Sequence, residues 1–78
     1  MFIEILTPTK SLYSGSVKSV LVPGTKGAFE MLHNHAPIIS TLEKGIVKLI
    51  DDSGSEHIFD IAGGVVENAD DKTIILVD

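Results

Sequence analysis

Apolar and polar residues alternate along this chain in short runs separated by turn residues. The alternation has the two-residue period of β-strands, and each run is about four to seven residues long. No stretch shows the longer period of an amphipathic helix. The predicted strands are Phe2–Leu6, Ser16–Val22, Gly45–Ile50, Glu56–Ala62, Val65–Asn68 and Thr73–Val77.

Two of these runs indicate how the strands are covered. In Glu56–Ile61, His57, Phe59 and Ile61 share one face and the intervening residues share the other, which predicts a strand with one face against the core. We expect His57 to lie near the margin of the sheet. Ile74–Val77 is apolar on both faces, which is typical of a strand covered on both sides or contacting a partner.

Turn residues lie between the runs. Pro23-Gly24, followed by Gly27, predicts a hairpin, because proline presets φ and glycine accepts positive φ. Asp51–Ser55 and Asn68–Lys72 have the composition of hairpin loops. The pair Gly63-Gly64 predicts a sharp bend, a bulge or a close approach between backbones.

The segment from Pro23 to Pro37 combines turn residues, an apolar strand and a polar His-Asn-His loop. Ala28–Leu32 is too short for a helix, and we expect Phe29 to lie in the core. Ile38–Lys44 is the only candidate helical turn, but its β-branched residues favour a strand followed by a turn.

Together these patterns predict an all-β fold without substantial helix, either a β-sandwich or a small barrel. With 78 residues and no linker or repeat, the chain is expected to form one domain spanning 1–78.

The composition argues against several classes of function. Six Lys, no Arg and eleven acidic residues give a formal charge of −5, which argues against nucleic-acid binding. The chain contains no Cys, so disulfides and zinc–cysteine sites are excluded. No run approaches the ~20 apolar residues of a membrane span, and the start shows no secretory signal, so a soluble cytoplasmic domain is expected.

Histidines offer one candidate for metal binding. If the chain were extended, His33 and His35 would point to the same side, as in some metal sites. A third ligand would have to come from Glu30, His57 or a distant carboxylate, and the spacing predicts none of them. Loop histidines that bond to backbone groups or meet a partner are the simpler interpretation.

Hydrolytic, phosphate-binding and calcium-binding sites have less support. The serines lack a nucleophile elbow, and neither Gly24-x-x-Gly27 nor Gly63-Gly64 has the strand-to-helix setting of a phosphate loop. The acidic pairs Asp51-Asp52 and Asp70-Asp71 lack the ligand spacing of a calcium loop and are interpreted as solvated turns.

Lys72 supports an alternative function. A lysine in a predicted hairpin of a small all-β chain is reminiscent of lipoyl or biotinyl carrier domains. In those domains, however, the modified lysine lies near the middle of the chain, whereas Lys72 lies close to the end.

An ordered set of motifs over nearly the whole chain resembles the amino-terminal β-sandwich domain of the epsilon subunit of F-type ATP synthases. The resembling residues are Thr7-Pro8, Tyr13-Ser14-Gly15, Val17, Val20, Pro23-Gly24-x-x-Gly27-x-Phe29, Met31-Leu32, Asn34-His35-Ala36-Pro37, Leu42-x-x-Gly45-x-Val47, Phe59-x-Ile61-x-Gly63-Gly64-x-Val66-Glu67 and Thr73–Val77.

The resemblance implies a sandwich of two five-stranded sheets, about ten short strands in all, at the foot of the central stalk. It would be a non-catalytic rotor part that binds the gamma subunit and the ring of c subunits. It would have no cofactor or small-molecule ligand, and it would associate peripherally with the cytoplasmic face of the inner membrane through the complex.

The resemblance also implies two contact surfaces. The c-ring surface would fall within Lys26–Pro37, and its expected contact residues are Lys26, Ala28, Glu30, His33, Asn34 and His35. The gamma surface would include the end of the first strand and the segment after the His-Ala-Pro motif, at Thr7, Ile38, Ser40 and Leu42.

Two departures from the family pattern stand out. Typical members continue into a carboxy-terminal helical hairpin used for inhibition, whereas this sequence ends at Asp78, where the predicted sandwich closes. Glu30 and His33 stand where many relatives have Gly and Pro, which changes the shape and charge of the ring-facing loop.

Overall fold

A computed structural model describes residues 1–78 as eight β-strands without a helix. Every predicted strand is present, so the all-β class is confirmed, with eight strands in place of about ten. No helix has the length and hydrophobicity needed to cross a membrane. The strands are β1 (Phe2–Leu6), β2 (Ser11–Val22), β3 (Phe29–Leu32), β4 (Ile38–Leu42), β5 (Gly45–Asp51), β6 (Glu56–Ile61), β7 (Gly64–Ala69) and β8 (Lys72–Val77).

Strand β2 is longer than the sequence predicted and belongs to two sheets. Its first half pairs with β1, opposing Tyr13 to Ile5, and its second half pairs with β3 and β5, opposing Val20 to both Met31 and Leu49. The register shifts between Val17 and Ser19, where the strand passes from one sheet to the other. One long strand therefore replaces two short ones in the strand count.

The two sheets form the sandwich. The first sheet has the order β4-β7-β8-β1-β2, and the second has the order β3-β2-β5-β6. Strand β1 pairs in parallel with β8, and all other pairs are antiparallel. Counting β2 twice, the sheets have five and four strands, one fewer than the two five-stranded sheets expected.

The core lies between the sheets. Alternate residues of the strands point inward because successive side chains in a strand face opposite sides. Phe29 and Phe59 pack against this core and stay partly exposed. Its thirteen buried hydrophobic residues are Ile3, Ile5, Val17, Val20, Val22, Met31, Leu42, Val47, Leu49, Ile61, Val66, Ile75 and Val77.

A buried polar pair interrupts this core. The Asn68 and Thr73 side chains are almost fully buried, and Nδ2 of Asn68 donates a hydrogen bond of 2.6 Å to Oγ1 of Thr73. Oδ1 of Asn68 has no hydrogen-bond partner. The pair joins β7 to β8 on the inner side of the first sheet, where Asn68 opposes Thr73.

The turns follow the predicted positions, with one refinement. The β7–β8 connection is a two-residue turn made by Asp70 and Asp71, whose φ angles are 52° and 59°. Positive φ at both positions is the geometry of a type I′ turn, which suits the twist of the flanking strands. The strands therefore extend to Ala69 and Lys72, further than the predicted loop Asn68–Lys72 allowed.

Gly64 marks a close approach between strands. A Cβ atom placed on it would overlap the backbone carbonyl oxygen of Leu76 on β8. The predicted bend occurs just before it, between β6 and β7, at Ala62 and Gly63. A residue without a side chain is required at Gly64 because the neighbouring backbone occupies that space.

The edge strand β4 is partly covered at its carboxyl end. Gly24 forms an isolated bridge with Leu42, and the Thr25 amide donates a 3.0 Å hydrogen bond to the Thr41 carbonyl. The amide of Glu43 donates to the carbonyl of Pro23 at 2.9 Å. These bonds join the β2–β3 hairpin to the edge of the first sheet.

Candidate functional site

The β2–β3 hairpin presents the first part of the candidate surface. Its turn closes where the Gly27 amide donates a 2.9 Å hydrogen bond to the Gly24 carbonyl, and Gly27 has a φ of 125°. The hairpin predicted from the Pro-Gly pair is therefore confirmed. Lys26 and Ala28 lie on this turn and are exposed.

Strand β3 has one buried face and one exposed face. Met31 is fully buried and Phe29 packs against the core, whereas Glu30 and Leu32 point to solvent. Leu32 is 52% exposed. Leu32 is not among the contact residues expected from the sequence, although its alternation with Met31 places it on the same face as Glu30.

After β3 the chain turns sharply at Asn34. Its φ is 59°, in the left-handed region that asparagine tolerates better than most residues. The His35 amide donates a 3.1 Å hydrogen bond to the Leu32 carbonyl, which closes the turn. Because the backbone is not extended here, His33 and His35 do not form the paired arrangement that a metal site would need.

The two histidines have separate partners. Nδ1 of His33 lies 2.8 Å from a carboxylate oxygen of Asp71, and Nδ1 of His35 lies 2.7 Å from the carbonyl oxygen of Ala36. His33 is largely exposed, and His35 is half-buried. No group of three or more His, Cys, Asp or Glu side chains is arranged to hold a metal ion.

Asp71 links this loop to the β7–β8 turn. Its Oδ1 accepts a 2.9 Å hydrogen bond from the Asn34 amide, and its Oδ2 lies 2.8 Å from His33. The amino group of Met1 is 3.6 Å from the same Oδ2. The predicted turn at Asp70-Asp71 is present, with Asp70 exposed and Asp71 half-buried and bonded to this loop.

These contacts change the acidity of Asp71. The hydrogen bond from the Asn34 amide is the main cause of a lowered pKa of the Asp71 carboxyl. Desolvation opposes it, and smaller contributions from His33 and from the amino group of Met1 lower the pKa further. The ionised carboxylate is the form that accepts these bonds. The loop and the turn are thus joined most strongly when Asp71 is charged.

The second candidate surface combines Thr7 with strand β4. Thr7 organises the β1–β2 turn, where its Oγ1 accepts a 3.1 Å hydrogen bond from the Lys10 amide. Ile38 and Ser40 are half-buried on the inward side of β4. Leu42 continues that side but is only 5% exposed, so its side chain packs in the core and is not available to a partner.

The outward side of the first sheet carries an exposed apolar surface. Val65 on β7 opposes Leu76 on β8, and these side chains are 39% and 53% exposed. Ile39 on β4 is 70% exposed on the same side. The all-apolar run at β8, which predicted either full coverage or a partner, thus has one uncovered face within this chain.

Lys72 lies at the first position of β8, beside the turn and not at its tip. Its Nζ is 3.6 Å from a carboxylate oxygen of Glu4 and 5.8 Å from the centre of the Phe2 ring. These contacts place the ammonium group along the first sheet. A carrier-domain lysine would instead be presented at the end of its hairpin.

Comparison with known proteins decides the family. The sequence model described as "ATP synthase, Delta/Epsilon chain, beta-sandwich domain" matches residues 1–78. The chain belongs to this family. Among its relatives, the ATP synthase epsilon chain of Chlorobaculum tepidum is 41% identical over 76 residues, covering 97% of this chain and 86% of the relative. The family recognised from the motifs is confirmed, and the carrier-domain alternative is not favoured.

Relatives of different length share this region. The ATP synthase epsilon chain of Campylobacter hominis is 40% identical over 77 residues, which cover 97% of this chain and 59% of the relative. The chain thus spans most of one relative and little more than half of another. The match in both cases is to the β-sandwich.

Solved structures share the fold. A chain of the Euglena gracilis mitochondrial ATP synthase has a TM-score of 0.90 and 17% identity, covering 96% of this chain and 48% of its own. A chain of the Tetrahymena thermophila mitochondrial ATP synthase central stalk/c-ring has a TM-score of 0.81 and 19% identity, covering 99% of this chain and 62% of its own. At these identities the comparison establishes the architecture.

Proposed function

We propose that this chain is a rotor subunit of a proton-translocating F-type ATP synthase, which links the gamma subunit to the c ring. The family match over residues 1–78 carries the proposal. The fold is shared with a chain from an assembly described as central stalk and c-ring, which supports a place in the stalk. The chain would take no part in catalysis, and its single β-sandwich domain would associate peripherally with the cytoplasmic face of the inner membrane.

The exposed face of the β2–β3 hairpin and the following loop are the proposed c-ring surface. Lys26, Ala28, Glu30, His33 and Asn34 are exposed there, with His35 half-buried beside them. Exposed Leu32 extends the same face and adds apolar area among charged and polar groups. An apolar centre with a polar rim is the usual composition of a protein interface.

Strand β4 and the β1–β2 turn are the proposed gamma surface. Its contact residues are Thr7, Ile38 and Ser40. Leu42 is not among them, because its side chain is buried in the core. Ile39 adds the most exposed large apolar side chain of the molecule to the same strand. Because the β4 edge is covered only near its carboxyl end, backbone groups near Ile38 are available to a partner as well.

Binding to purified partners tests the proposal. We expect a stable complex with the gamma subunit, through an interface of about 1,600 Å² or more, and association of that complex with an isolated c ring in lipid nanodiscs. Native mass spectrometry and size-exclusion chromatography measure both. A chain that binds neither gamma nor the gamma–c-ring assembly at micromolar concentration contradicts the proposed function.

Matched variants assign the two surfaces. Glu30→Lys reverses a charge on the proposed c-ring face, and Asp52→Lys makes the same change on the β5–β6 hairpin. Ile39→Asp alters β4, and Ile58→Asp alters the outer face of β6, where Ile58 is 54% exposed. We expect Glu30→Lys to affect only c-ring binding and Ile39→Asp only gamma binding, with both controls behaving as wild type. Equal losses in a variant and its control would show that the assigned surface is wrong.

A further inference from the structure

The loop at His33–Pro37, between β3 and β4, has only a short-range backbone bond of its own. Within the loop, the His35 amide bonds to the Leu32 carbonyl, and His35 bonds through Nδ1 to the neighbouring Ala36. Its long-range polar contacts are those to Asp71, 37 residues away from Asn34 in sequence. Between the flanking strands β3 and β4, one side chain of another element thus holds the loop against the sandwich.

Asp71 is itself held firmly. It occupies the second position of the two-residue β7–β8 turn, and its carbonyl accepts a 3.1 Å hydrogen bond from the Phe2 amide of β1. The flanking residues Ala69 and Lys72 are paired within the first sheet. The carboxylate therefore projects from a rigid support, as a positioning group requires.

The two contacts of the Asp71 carboxylate with the loop differ in kind. The bond from the Asn34 amide fixes the backbone at the residue with positive φ, and the contact with His33 fixes an exposed side chain of the proposed c-ring surface. A charged acceptor makes both bonds stronger than a neutral one would. Together they determine where His33 and Asn34 are presented.

We propose that Asp71 is the positioning residue of the proposed c-ring loop, holding His33 and Asn34 in the conformation that meets the partner. This inference rests on the proposed function for the identity of the partner. The positioning itself is a property of the isolated chain, so the two are tested separately.

Glycine at the turn tests the positioning in the chain alone. Asp71→Gly removes the carboxylate without conformational cost, because glycine accepts the φ of 59° and Asp-Gly is a preferred type I′ pair. Asp70→Gly is the matched control, since it removes an exposed carboxylate from the adjacent turn position, where φ is also positive. Both variants are expected to fold.

Amide hydrogen exchange followed by NMR is the measurement. We expect exchange at Asn34 to accelerate roughly tenfold in Asp71→Gly, the size of one lost charge-assisted hydrogen bond, and to stay unchanged in Asp70→Gly. Amides of the β7–β8 pair should keep their protection in both. Asp71→Asn, which retains an acceptor oxygen, should recover much of the Asn34 protection. Unchanged exchange at Asn34 in Asp71→Gly would overturn the proposal.

Partner binding then separates the two hypotheses. With the gamma-bound chain and a c ring in nanodiscs, Asp71→Gly should dissociate from the ring several-fold faster than wild type and Asp70→Gly, while gamma binding stays intact. If wild type itself does not bind the ring, the proposed function fails while the exchange result stands. If exchange accelerates but ring dissociation is unchanged, Asp71 orders the loop without positioning it for the ring, and the proposal is overturned.

Discussion

A carboxylate oxygen of Asp51 and Nε2 of His57 lie 2.8 Å apart, across the two strands of the β5–β6 hairpin. The other oxygen of Asp51 accepts bonds from the Ser53 hydroxyl at 2.6 Å and from the Ser55 amide at 2.9 Å. The His57 ring in turn packs against Tyr13 of β2, with ring centres 5.1 Å apart. Asp51 thus organises the hairpin loop and orients a side chain that contacts the first half of β2.

Because of Asp51, the stability of the fold should depend on pH in the acidic range. The Ser53 hydroxyl, followed by His57 and the Ser55 amide, holds the pKa of the Asp51 carboxyl well below its ordinary value of 3.8. A group with a lowered pKa in the folded state contributes stability above its unfolded pKa, and that contribution is lost as pH falls through the folded pKa. We expect Asp51→Asn to lower the melting temperature at neutral pH and to make its decline below pH 3.8 shallower.

Asp52→Asn is the control for this prediction. It removes the same charge from the same hairpin, but the Asp52 side chain is exposed and makes none of the hydrogen bonds that Asp51 makes. Melting curves followed by circular dichroism across this pH range compare the two. Identical pH profiles for Asp51→Asn and Asp52→Asn would contradict the role assigned to Asp51.

The strands and turns were predictable because they depend on local patterns. The alternation in Glu56–Ile61 correctly placed His57, Phe59 and Ile61 towards the interior, and the Pro-Gly pair correctly located the β2–β3 hairpin. In contrast, the parallel pairing of β1 with β8 joins the two ends of the chain, and no local pattern carries that information. The first half of β2 was also not predicted, because its mostly polar residues lack the hydrophobic alternation of a strand.

The segment that carries the candidate site was predictable from the sequence, but the side chain that holds this segment in place was not. The segment from Pro23 to Pro37 stood out by composition, and the resemblance to the family indicated a contact surface within it. Asp71, in contrast, looked like any acidic hairpin residue. Asp70 and Asp71 have the same chemistry and nearly the same backbone conformation. Only the folded arrangement, which brings Asn34 to within 2.9 Å of Asp71, distinguishes them.

Gly64 should tolerate no side chain. Gly64→Ala would place a methyl group against the backbone carbonyl of Leu76, which cannot move without breaking the β7–β8 pairing. We expect a loss of about 2–3 kcal/mol or more in the free energy of unfolding, measured by urea denaturation. Gly15→Ala is the control, because the nearest atoms to a Cβ there belong to the Tyr13 side chain, at 3.5 Å or more. A similar loss in both would argue against the close approach at Gly64.

The buried pair of Asn68 and Thr73 should behave as a coupled unit. Thr73→Val leaves Nδ2 of Asn68 with only its 3.5 Å contact to the sulfur of Met1 and should cost about 1–3 kcal/mol in the free energy of unfolding. Adding Asn68→Leu removes the orphaned polar group and the unpaired Oδ1 together, so the double variant should be more stable than Thr73→Val alone. A double-mutant cycle by urea denaturation measures this coupling, and additive effects would contradict it.

Substitution of Phe29 should affect folding, whereas substitution of His35 should affect binding. The Phe29 ring packs against the core and lies close to Gly24, but it is only half-buried. Phe29→Ala should therefore lower the free energy of unfolding by about 2–3 kcal/mol, near the lower end for removal of an aromatic ring. Leu32→Ala truncates an exposed side chain on the opposite face of the same strand and should change stability by less than about 0.5 kcal/mol.

His35→Ala should leave the fold largely intact. The side-chain hydrogen bond of His35 goes to the adjacent residue Ala36, so its loss removes no hydrogen bond between elements. We expect a melting temperature near that of Leu32→Ala and weaker binding of the gamma-bound chain to the c ring. Thermal denaturation and ring binding are measured on the same preparations. A His35→Ala variant as unstable as Phe29→Ala would show that this histidine is structural and would remove it from the proposed c-ring surface.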